Sequence, residues 1–308
     1  MSLRARLLNI WLKRLEKPIM ARATDPSQLR DRFERTARMM FRAPRGTQMQ
    51  WQVLEHGQRR VEALDVVPPT LRSDAVVLYI HGGGFVFGSP RTHAAMAAQI
   101  GKRLDARVVM PRYRLAPEAP FPAAFDDVRV AWDALCASGV RPGQIVIGGD
   151  SAGGALTLSL LGQLIAEKAP LPAAVFCFSP LTDLTYSGQS FQSNAKAEVL
   201  LAANRADAMS AQYLKGHSKT DPRVSPLWAE YHGAPAVWIT VGDTEILLDD
   251  SRRLAKRLAE ENVPVTLKER HDLPHVWPIF HNILPEARDT LDDLAQWIRQ
   301  QLESRGES

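Results

Sequence analysis

Two glycine-rich segments carry the residue types of an acyl-transfer site. Ser151 lies within residues 149–154, Gly-Asp-Ser-Ala-Gly-Gly, which contain the pattern G-x-S-x-G. That pattern places a serine on a strained turn between a strand and a helix, where its hydroxyl is exposed as a nucleophile. Upstream, His81 begins the run His-Gly-Gly-Gly, and such a loop offers backbone N–H groups to a developing oxyanion. One segment therefore supplies a nucleophile, and the other supplies charge stabilisation.

The residues around both segments predict the elements that these motifs require. An apolar run at 144–148 precedes Ser151, and residues 155–161 after it are rich in helix formers; this order predicts strand, turn and helix. A near-continuous apolar run at 75–80 precedes His81 and predicts a central parallel strand. Both loops are thus expected at the carboxyl ends of strands, where open α/β sheets bind their ligands.

Composition and charge favour a globular protein without a nucleic-acid partner. The 308 residues are 45% hydrophobic and 23% charged, ordinary values for a folded domain. The net charge is +4, but residues 1–45 alone hold twelve Lys/Arg against four Asp/Glu. Because the basic residues are concentrated in that segment, the rest of the chain is mildly acidic, and we expect no nucleic-acid binding.

Cysteine usage and the apolar runs bear on compartment and membrane attachment. Cys136 and Cys177 fall in predicted core elements, so neither a disulfide framework nor a thiolate metal site is expected. The apolar run at 7–12 is followed at once by Lys13 and Arg14, without the cleavage site of a signal peptide. No apolar run reaches the length that spans a bilayer. These features predict a cytoplasmic protein with no stable membrane anchor.

Periodicity along the chain predicts an α/β fold with a mostly parallel sheet. Residues 48–54 and 60–66 alternate with period two, which indicates an antiparallel pair joined near His56 and Gly57. The remaining predicted strands lie near 75–80, 106–110, 144–148, 172–178, 235–241 and 263–269, and they alternate with helices near 91–104, 123–138, 152–167, 249–260 and 287–303. This alternation predicts a sheet of about eight strands with helices on both faces.

Two segments fall outside this alternation and predict a helical cap. In the first twenty residues, apolar side chains recur at helical spacing among basic ones: Leu3, Leu7, Leu8, Trp11, Leu12 and Leu15. Such a helix can lie on an anionic membrane, but we expect its apolar stripe to pack on the protein itself; a second helix is predicted over 25–41. Residues 184–224 show helical stretches around 200–214 and no strand pattern. The predicted organisation is N-terminal cap helices in 1–45, core in 46–183, inserted cap helices in 184–224 and core in 225–308.

The remaining catalytic groups must follow Ser151 in the sequence. A serine needs a base to accept its proton, and the base needs a carboxylate that holds its tautomer. In folds with this elbow the chain order is Ser, then Asp or Glu, then His. The strand at 235–241 leads into a loop with several candidate acids, Asp243, Glu245, Asp249 and Asp250. Three histidines follow this loop, and His275, in a loop before a helical stretch, is favoured as the base over His271 and His281. The other histidines are expected to be ordinary solvated or core side chains: His56, His93, His217, His232 and His281.

Five motifs together give the chain a family resemblance. They are the segments 81–84 (HGGG), 113–118 (YRLAPE), 149–154 (GDSAGG), 179–183 (SPLTD) and 221–227 (DPRVSPL). In this combination the chain resembles, over nearly its whole length, the hormone-sensitive-lipase-like carboxylesterases, bacterial family IV of the α/β-hydrolase superfamily. The resemblance implies an α/β-hydrolase fold with a helical cap, a Ser-Asp/Glu-His triad and a preference for short- to medium-chain acyl esters.

Carried over by position, the resemblance implies that Ser151 is the nucleophile and His275 the base. Family members commonly have Asp-Pro-Leu at the triad acid, whereas this chain has Glu245-Ile246-Leu247. A glutamate is chemically adequate, because the acid only orients and charge-stabilises the imidazole. Glu245 is therefore the expected acid and Asp243 the alternative, while Asp249 and Asp250 are expected to be structural.

The same resemblance implies the oxyanion donors and the function. The donors are expected to be the backbone N–H groups of Gly83, Gly84 and Ala152, with His81 fixing the loop. No cofactor or metal is expected. The sequence thus predicts a serine carboxylesterase that acts on a small-molecule ester through an acyl-enzyme.

Three questions stay open at the level of sequence. An acyltransferase or a deacetylase of a specialised metabolite would share every catalytic residue. A non-catalytic ligand-binding receptor on this fold is a further alternative, although receptors resembling this family have the catalytic histidine replaced and His275 is present. A homodimer through the edge strand near 263–269 would fit the family, but nothing in that strand requires it.

Overall fold

Eight strands form one sheet at the centre of the molecule. The computed structural model describes residues 1–306, and its strands are β1 (Gln48–His56), β2 (Arg59–Val67), β3 (Val76–Ile80), β4 (Arg107–Pro111), β5 (Ile145–Asp150), β6 (Ala174–Phe178), β7 (Val237–Gly242) and β8 (Val265–Arg270). They lie in the order β1-β2-β4-β3-β5-β6-β7-β8. β2 is antiparallel to both β1 and β4, and every other neighbouring pair is parallel. The predicted mostly parallel sheet of about eight strands is confirmed.

Helices cover both faces of this sheet. In chain order they are α1 (Leu3–Trp11), α2 (Lys17–Arg22), α3 (Pro26–Met40), α4 (Pro90–Leu104), α5 (Ala123–Ala137), α6 (Ala152–Ala166), α7 (Ser190–Ser193), α8 (Ala203–Leu214), α9 (Leu248–Glu260) and α10 (Pro285–Gly306). Buried side chains of α4 and α10 belong to one apolar core, and those of α5, α6 and α9 belong to a second. The two cores enclose the sheet, as the alternation of strand and helix patterns predicts.

Burial of the central strands explains their sequence. Every residue of β3, β5, β6 and β7 is buried, which is why these strands are apolar runs rather than alternating ones. The predicted bounds of the strands differ from the observed ones by at most two residues. Ile80 pairs with Gly149 at the ends of β3 and β5, so the loops that follow these two parallel strands meet at one edge of the sheet.

The N-terminal residues differ from the single regular helix that the sequence predicts. α1 continues into a π-helical turn over Leu12–Glu16 and then into α2. The face that meets the body of the protein is formed by Ala5, Leu8 and Leu12, all buried. Three residues of the expected stripe are instead exposed, Leu3 (71%), Leu7 (60%) and Leu15 (52%). The expectation that the stripe packs on the protein therefore holds for Leu8 and Leu12 but not for Leu3, Leu7 and Leu15, because the apolar side chains occur on more than one face and only one face meets the body.

The segment after β6 lies beside the N-terminal helices. Residues 184–224, all of them described by the structure, contain α7 and α8 and no strand, and α8 contacts α2. Within residues 1–306, no helix is both long and apolar enough to cross a bilayer. The segment 225–308 continues the sheet with β7 and β8, and its last two residues lie outside the described part of the chain.

Candidate active site

Ser151 lies on a sharp turn between β5 and α6. Its φ of 52° and ψ of −120° place a non-glycine residue in a conformation that costs about 1–3 kcal/mol. A Cβ at Gly149 would lie 2.6 Å from the carbonyl oxygen of Ile80, and one at Gly153 would overlap the same oxygen. Glycine at both positions therefore allows β5, the turn and α6 to pack this closely against β3.

Glu245 and His275 form a buried pair at the same edge of the sheet. Glu245 follows β7 and His275 follows β8, and their side chains are 1% and 5% exposed. The Nδ1 atom of His275 lies 2.6 Å from Oε2 of Glu245. Burial lowers the pKa of His275, but the charge of Glu245 and its hydrogen bond outweigh this effect and raise the pKa above the ordinary 6.5. Glu245 thus favours an imidazolium, which is the state that a general base reaches when it accepts a proton.

The second carboxylate oxygen of Glu245 is fixed by two donors. The Ser179 hydroxyl donates to Oε1 at 2.7 Å, and the Gly242 N–H donates to it at 2.6 Å. Ser179 also accepts from the N–H of Val276, next to His275, at 3.2 Å. Ser179 therefore connects the acid loop to the base loop, a role that its place in the motif at 179–183 did not indicate.

The alternative acids have other partners. Asp243 accepts from the Asp272 N–H at 2.7 Å and lies 2.7 Å from Nδ1 of the exposed His271. Asp250 accepts from the N–H groups of Thr182 and Asp183 at 2.7 and 2.9 Å. Asp249 accepts from the Ser190 N–H at 2.8 Å. None of these three carboxylates is within hydrogen-bonding distance of His275 in the described residues, and Glu245 is.

The other ring nitrogen of His275 is available for chemistry. With the Nδ1 proton directed at the carboxylate of Glu245, Nε2 carries the lone pair. That nitrogen is buried and has no hydrogen-bond partner within residues 1–306. His275 and Ser151 line the same cavity. A free base nitrogen and a serine hydroxyl that line one cavity suit proton transfer from serine to histidine, and this contact commonly tightens only when substrate binds.

The backbone of the His-Gly-Gly-Gly loop forms part of the cavity wall. Gly83 and Gly84 line it and have φ values of 121° and 57°, which favour glycine. The carbonyl of Gly83 accepts from the N–H groups of Val86 and Phe87 at 3.1 and 3.0 Å, so the loop is a tight turn. Ala152 begins α6, where backbone N–H groups have no partner inside the helix. This geometry suits the binding of an oxyanion beside Ser151.

Asp150 connects the serine turn to that loop. It is 2% exposed and accepts from the Tyr79 hydroxyl at 2.7 Å and from the Gly82 N–H at 3.0 Å. Its other oxygen lies 3.4 Å from Nε2 of His93. Burial raises the pKa of Asp150, but His93 and the Tyr79 hydroxyl outweigh it and hold the pKa below its usual value. The sequence indicated neither this network nor the position of His93 within it.

His81 packs beneath the loop as a neutral side chain. Its ring stacks on Tyr113 with centroids 4.2 Å apart, and its Nδ1 lies 2.8 Å from the carbonyl oxygen of Gly82. Burial and the neighbouring His93 lower the pKa of His81 to about 3. The Tyr113 hydroxyl donates to the carbonyl of His81 at 2.8 Å. His81 thus fixes the loop, as expected.

Residues 194–201 hold the acid loop from the opposite side. The Asn194 amide donates to the carbonyl of Glu245 at 2.9 Å. Glu198 is 1% exposed and accepts from the N–H of Leu200 at 2.8 Å and from that of Ile246 at 3.2 Å. Burial and the nearby charge of Glu245 raise the pKa of Glu198. The sequence pattern marked this segment only as non-strand and did not indicate either residue.

The cavity itself is mostly apolar and has a volume of about 210 Å³. Its walls come from the N-terminal helices, with Trp11 and Phe33 among them, and from the segment 184–224, with Phe191, Leu200, Leu201 and Met209. Two other apolar residues of this segment do not line the cavity: Val199 packs in the core, and the ring of Tyr213 stacks on that of Phe85 with centroids 3.9 Å apart. An apolar cavity with a few convergent polar groups is typical of a small-molecule site.

Comparison with known proteins agrees with this geometry. Residues 77–279 match the model of an α/β-hydrolase-fold family. An acetyl-hydrolase of Streptomyces hygroscopicus is 36% identical over 233 residues, 76% of this chain and 78% of that protein. An esterase of Acinetobacter venetianus is 35% identical over 223 residues, 72% of this chain and 74% of that protein. The crystal structure of an esterase from the bacterial hormone-sensitive lipase family matches with a TM-score of 0.91 and 35% identity, covering 98% of this chain and 99% of that one.

These similarities extend over both the sheet and the helices above it. The structural match covers almost the whole of both chains, and both curated relatives cover more than two thirds of this chain. The chain belongs to the hormone-sensitive-lipase-like branch of the α/β-hydrolase family.

Proposed function

We propose that this protein is a serine carboxylesterase that hydrolyses small-molecule esters through an acyl-enzyme. The observation that carries the proposal is the buried Glu245–His275 pair, which leaves a free base nitrogen in the cavity that Ser151 lines. The names of the two relatives, acetyl-hydrolase and esterase, support the same activity. The receptor alternative requires loss of the base, and His275 is present and paired.

Acylation would proceed in two proton-coupled steps. His275 Nε2 takes the proton of the Ser151 hydroxyl as the oxygen attacks the ester carbonyl, and Glu245 stabilises the imidazolium. The N–H groups of Gly83, Gly84 and Ala152 bind the resulting oxyanion. The tetrahedral intermediate then collapses, the bond to the alcohol oxygen breaks, and His275 returns the proton to the leaving alcohol.

Deacylation repeats these steps with water in place of serine. His275 removes a proton from a water molecule, whose oxygen attacks the acyl carbonyl, and the same donors bind the second oxyanion. Collapse breaks the bond to Ser151, whose oxygen takes the proton back from His275. The products are one carboxylic acid and one alcohol, with the enzyme regenerated.

The size and lining of the cavity suit short- to medium-chain acyl esters, which we propose as the substrates. It is small and lined mainly by apolar side chains that approach from two cap segments, 1–45 and 184–224. We propose these two segments as the cap and 46–183 with 225–308 as the core.

Two free cysteines, Cys136 and Cys177, are consistent with a reducing compartment such as the cytoplasm. For the oligomeric state, we propose a homodimer in which the edge strand β8 of each protomer forms the interface.

Hydrolysis of p-nitrophenyl esters from acetate to palmitate tests the proposal. We expect the wild type to favour the shorter chains and Ser151→Ala to lose about 10⁴-fold or more in kcat. The matched control is Ser159→Ala, a buried serine on α6 outside the cavity, which should retain activity. Turnover by Ser151→Ala at a rate near wild type would refute the assignment of the nucleophile.

A further inference from the structure

Exposed apolar side chains are concentrated at the N-terminus. Eleven large apolar side chains are exposed among the described residues, and seven of them lie within the first 40 residues: Met1, Leu3, Leu7, Ile10, Leu15, Ile19 and Met39. Single exposed apolar residues are normal on a protein surface, whereas a cluster marks an interaction surface. Leu3, Leu7 and Ile10 lie on α1, whose opposite face is packed against the protein through Ala5 and Leu8.

The outward side of α1 has an apolar centre and basic flanks. At 100° per residue, Leu3, Leu7 and Ile10 fall on one line along the helix, opposite the buried Leu8 and Leu12. Arg6 lies on one side of that line and Arg4 on the other, and Lys13 and Arg14 follow in the π-helical turn directly after α1; all four are exposed. We call Leu3, Leu7 and Ile10 with these four basic residues the outer face of α1.

The charge of the surrounding segment selects the partner. Residues 1–45 carry a net +8, and Glu16, the acidic residue nearest to the outer face in sequence, is paired with Arg32 at 2.6 Å. A second copy of this chain would bring two such segments together and would be repelled. An anionic lipid surface provides both the opposite charge and an apolar interior for the side chains between the cations.

We propose that the outer face of α1 binds the surface of an anionic phospholipid membrane, with α1 lying in the plane of the interface. Leu3, Leu7 and Ile10 insert among the acyl chains, while the basic flanks contact the lipid phosphates. The interaction is peripheral and reversible.

The position of α1 connects this surface to the cavity. Trp11, the last residue of α1, and Leu12, the first of the π-helical turn, line the cavity together with Ser151, and so do Ile19 and Met20 of α2. A membrane bound to the outer face would therefore lie beside the walls of the cavity. This extension rests on the proposed esterase function, and it assigns esters that partition into membranes as the substrate class.

Vesicle co-sedimentation of the full-length protein tests the binding without reference to activity. Vesicles of phosphatidylcholine are compared with vesicles that contain roughly 30 mol% phosphatidylglycerol, at about 0.05 and about 0.5 M salt. We expect binding to the anionic vesicles only, reduced at least several-fold by the higher salt. Ser151→Ala should bind as the wild type does, so failure of the esterase assignment is distinguishable from failure of this one.

Two triple variants and their matched controls locate the surface. Leu3→Ser/Leu7→Ser/Ile10→Ser and Arg6→Glu/Lys13→Glu/Arg14→Glu should each lower vesicle binding at least tenfold. The controls change exposed residues of the same kinds elsewhere, Met49→Ser/Val53→Ser/Leu71→Ser and Lys102→Glu/Arg141→Glu/Lys256→Glu, and should bind as the wild type does.

All four triple variants should hydrolyse water-soluble p-nitrophenyl acetate at the wild-type rate, and this unchanged rate shows that they are folded. Rates on a p-nitrophenyl ester dissolved in anionic vesicles should fall only in the two α1 variants. Equal binding to neutral vesicles, equal loss in the controls, or a wild-type dimer that the α1 variants convert to monomer without any vesicle binding would each overturn the proposal.

Discussion

Replacing Glu245 by glutamine is expected to reverse the proton placement on His275. Oε1 of Glu245 accepts from the Gly242 N–H and from the Ser179 hydroxyl. In Glu245→Gln, the amide oxygen must take this position, because an NH₂ group there would face the N–H donor of Gly242. The NH₂ group is then directed at Nδ1 of His275, which must accept rather than donate. The ring proton moves to Nε2, and the base that faces Ser151 is blocked.

The size of the effect follows from this wrong tautomer. The corresponding carboxylate-to-amide change in a serine-protease triad lowers kcat by about 10⁴, which is about 5 kcal/mol of transition-state stabilisation at 1.36 kcal/mol per tenfold. We expect a loss of about 10³–10⁴ here, because Gly242 fixes the amide in the unfavourable orientation. Glu245→Asp keeps the carboxylate but moves it away from His275, because the side chain is shorter. A misplacement near 1 Å lowers the rate by about 10²-fold.

Steady-state hydrolysis of p-nitrophenyl acetate separates these variants. The matched control is Asp243→Asn. The carboxylate of Asp243 pairs with the exposed His271, and since surface pairs contribute little, this variant should keep kcat within about twofold of wild type. An active Glu245→Gln protein together with an inactive Asp243→Asn protein would refute the assignment of the acid. Circular dichroism of each variant establishes that it is folded.

Three further predictions test the electrostatics and packing around Ser151. His275 must be neutral to act as the base, and its pKa is raised, so kcat/KM should fall with decreasing pH through an apparent pKa above 6.5. An apparent pKa at or below 6.5 would contradict the role of the carboxylate beside His275. Tyr79→Phe removes a hydrogen bond to the buried Asp150 and should lower the free energy of unfolding in urea by about 1.5–3 kcal/mol; a change below about 0.5 kcal/mol would contradict that network. In Gly153→Ala the new Cβ would overlap the carbonyl oxygen of Ile80, and we expect the free energy of unfolding to fall by about 1–3 kcal/mol or more. Gly143→Ala, in open space, should be neutral. Equal stabilities of the two variants would contradict the close packing of the elbow.

The sequence predicted those features that depend on neighbouring residues. The strands, the helices of the core and the turn at Ser151 follow from local periodicity and from glycines at fixed offsets, and they appear where expected to within about three residues. Glu245 was expected as the acid only through the family resemblance. Residues 243–250 contain four carboxylates, and the choice between them depends on which one reaches His275.

Features that depend on distant partners were not predictable from sequence. Ser179 meets Glu245 across 66 residues, and Asp150 meets Tyr79 across 71, so no local pattern indicates either contact. The orientation of α1 is a third case. Its apolar residues occur on several faces, and tertiary packing alone decides that Leu8 is buried while Leu7 is exposed.

Covalent labelling of Ser151 tests the central claim most directly. A fluorophosphonate ester reacts with a serine activated by a neighbouring base, and peptide mapping by mass spectrometry locates the adduct. We predict one adduct, on the peptide that contains Ser151, formed at a rate that falls sharply in His275→Ala. An adduct on a different serine, or an active protein that forms none, would contradict the account.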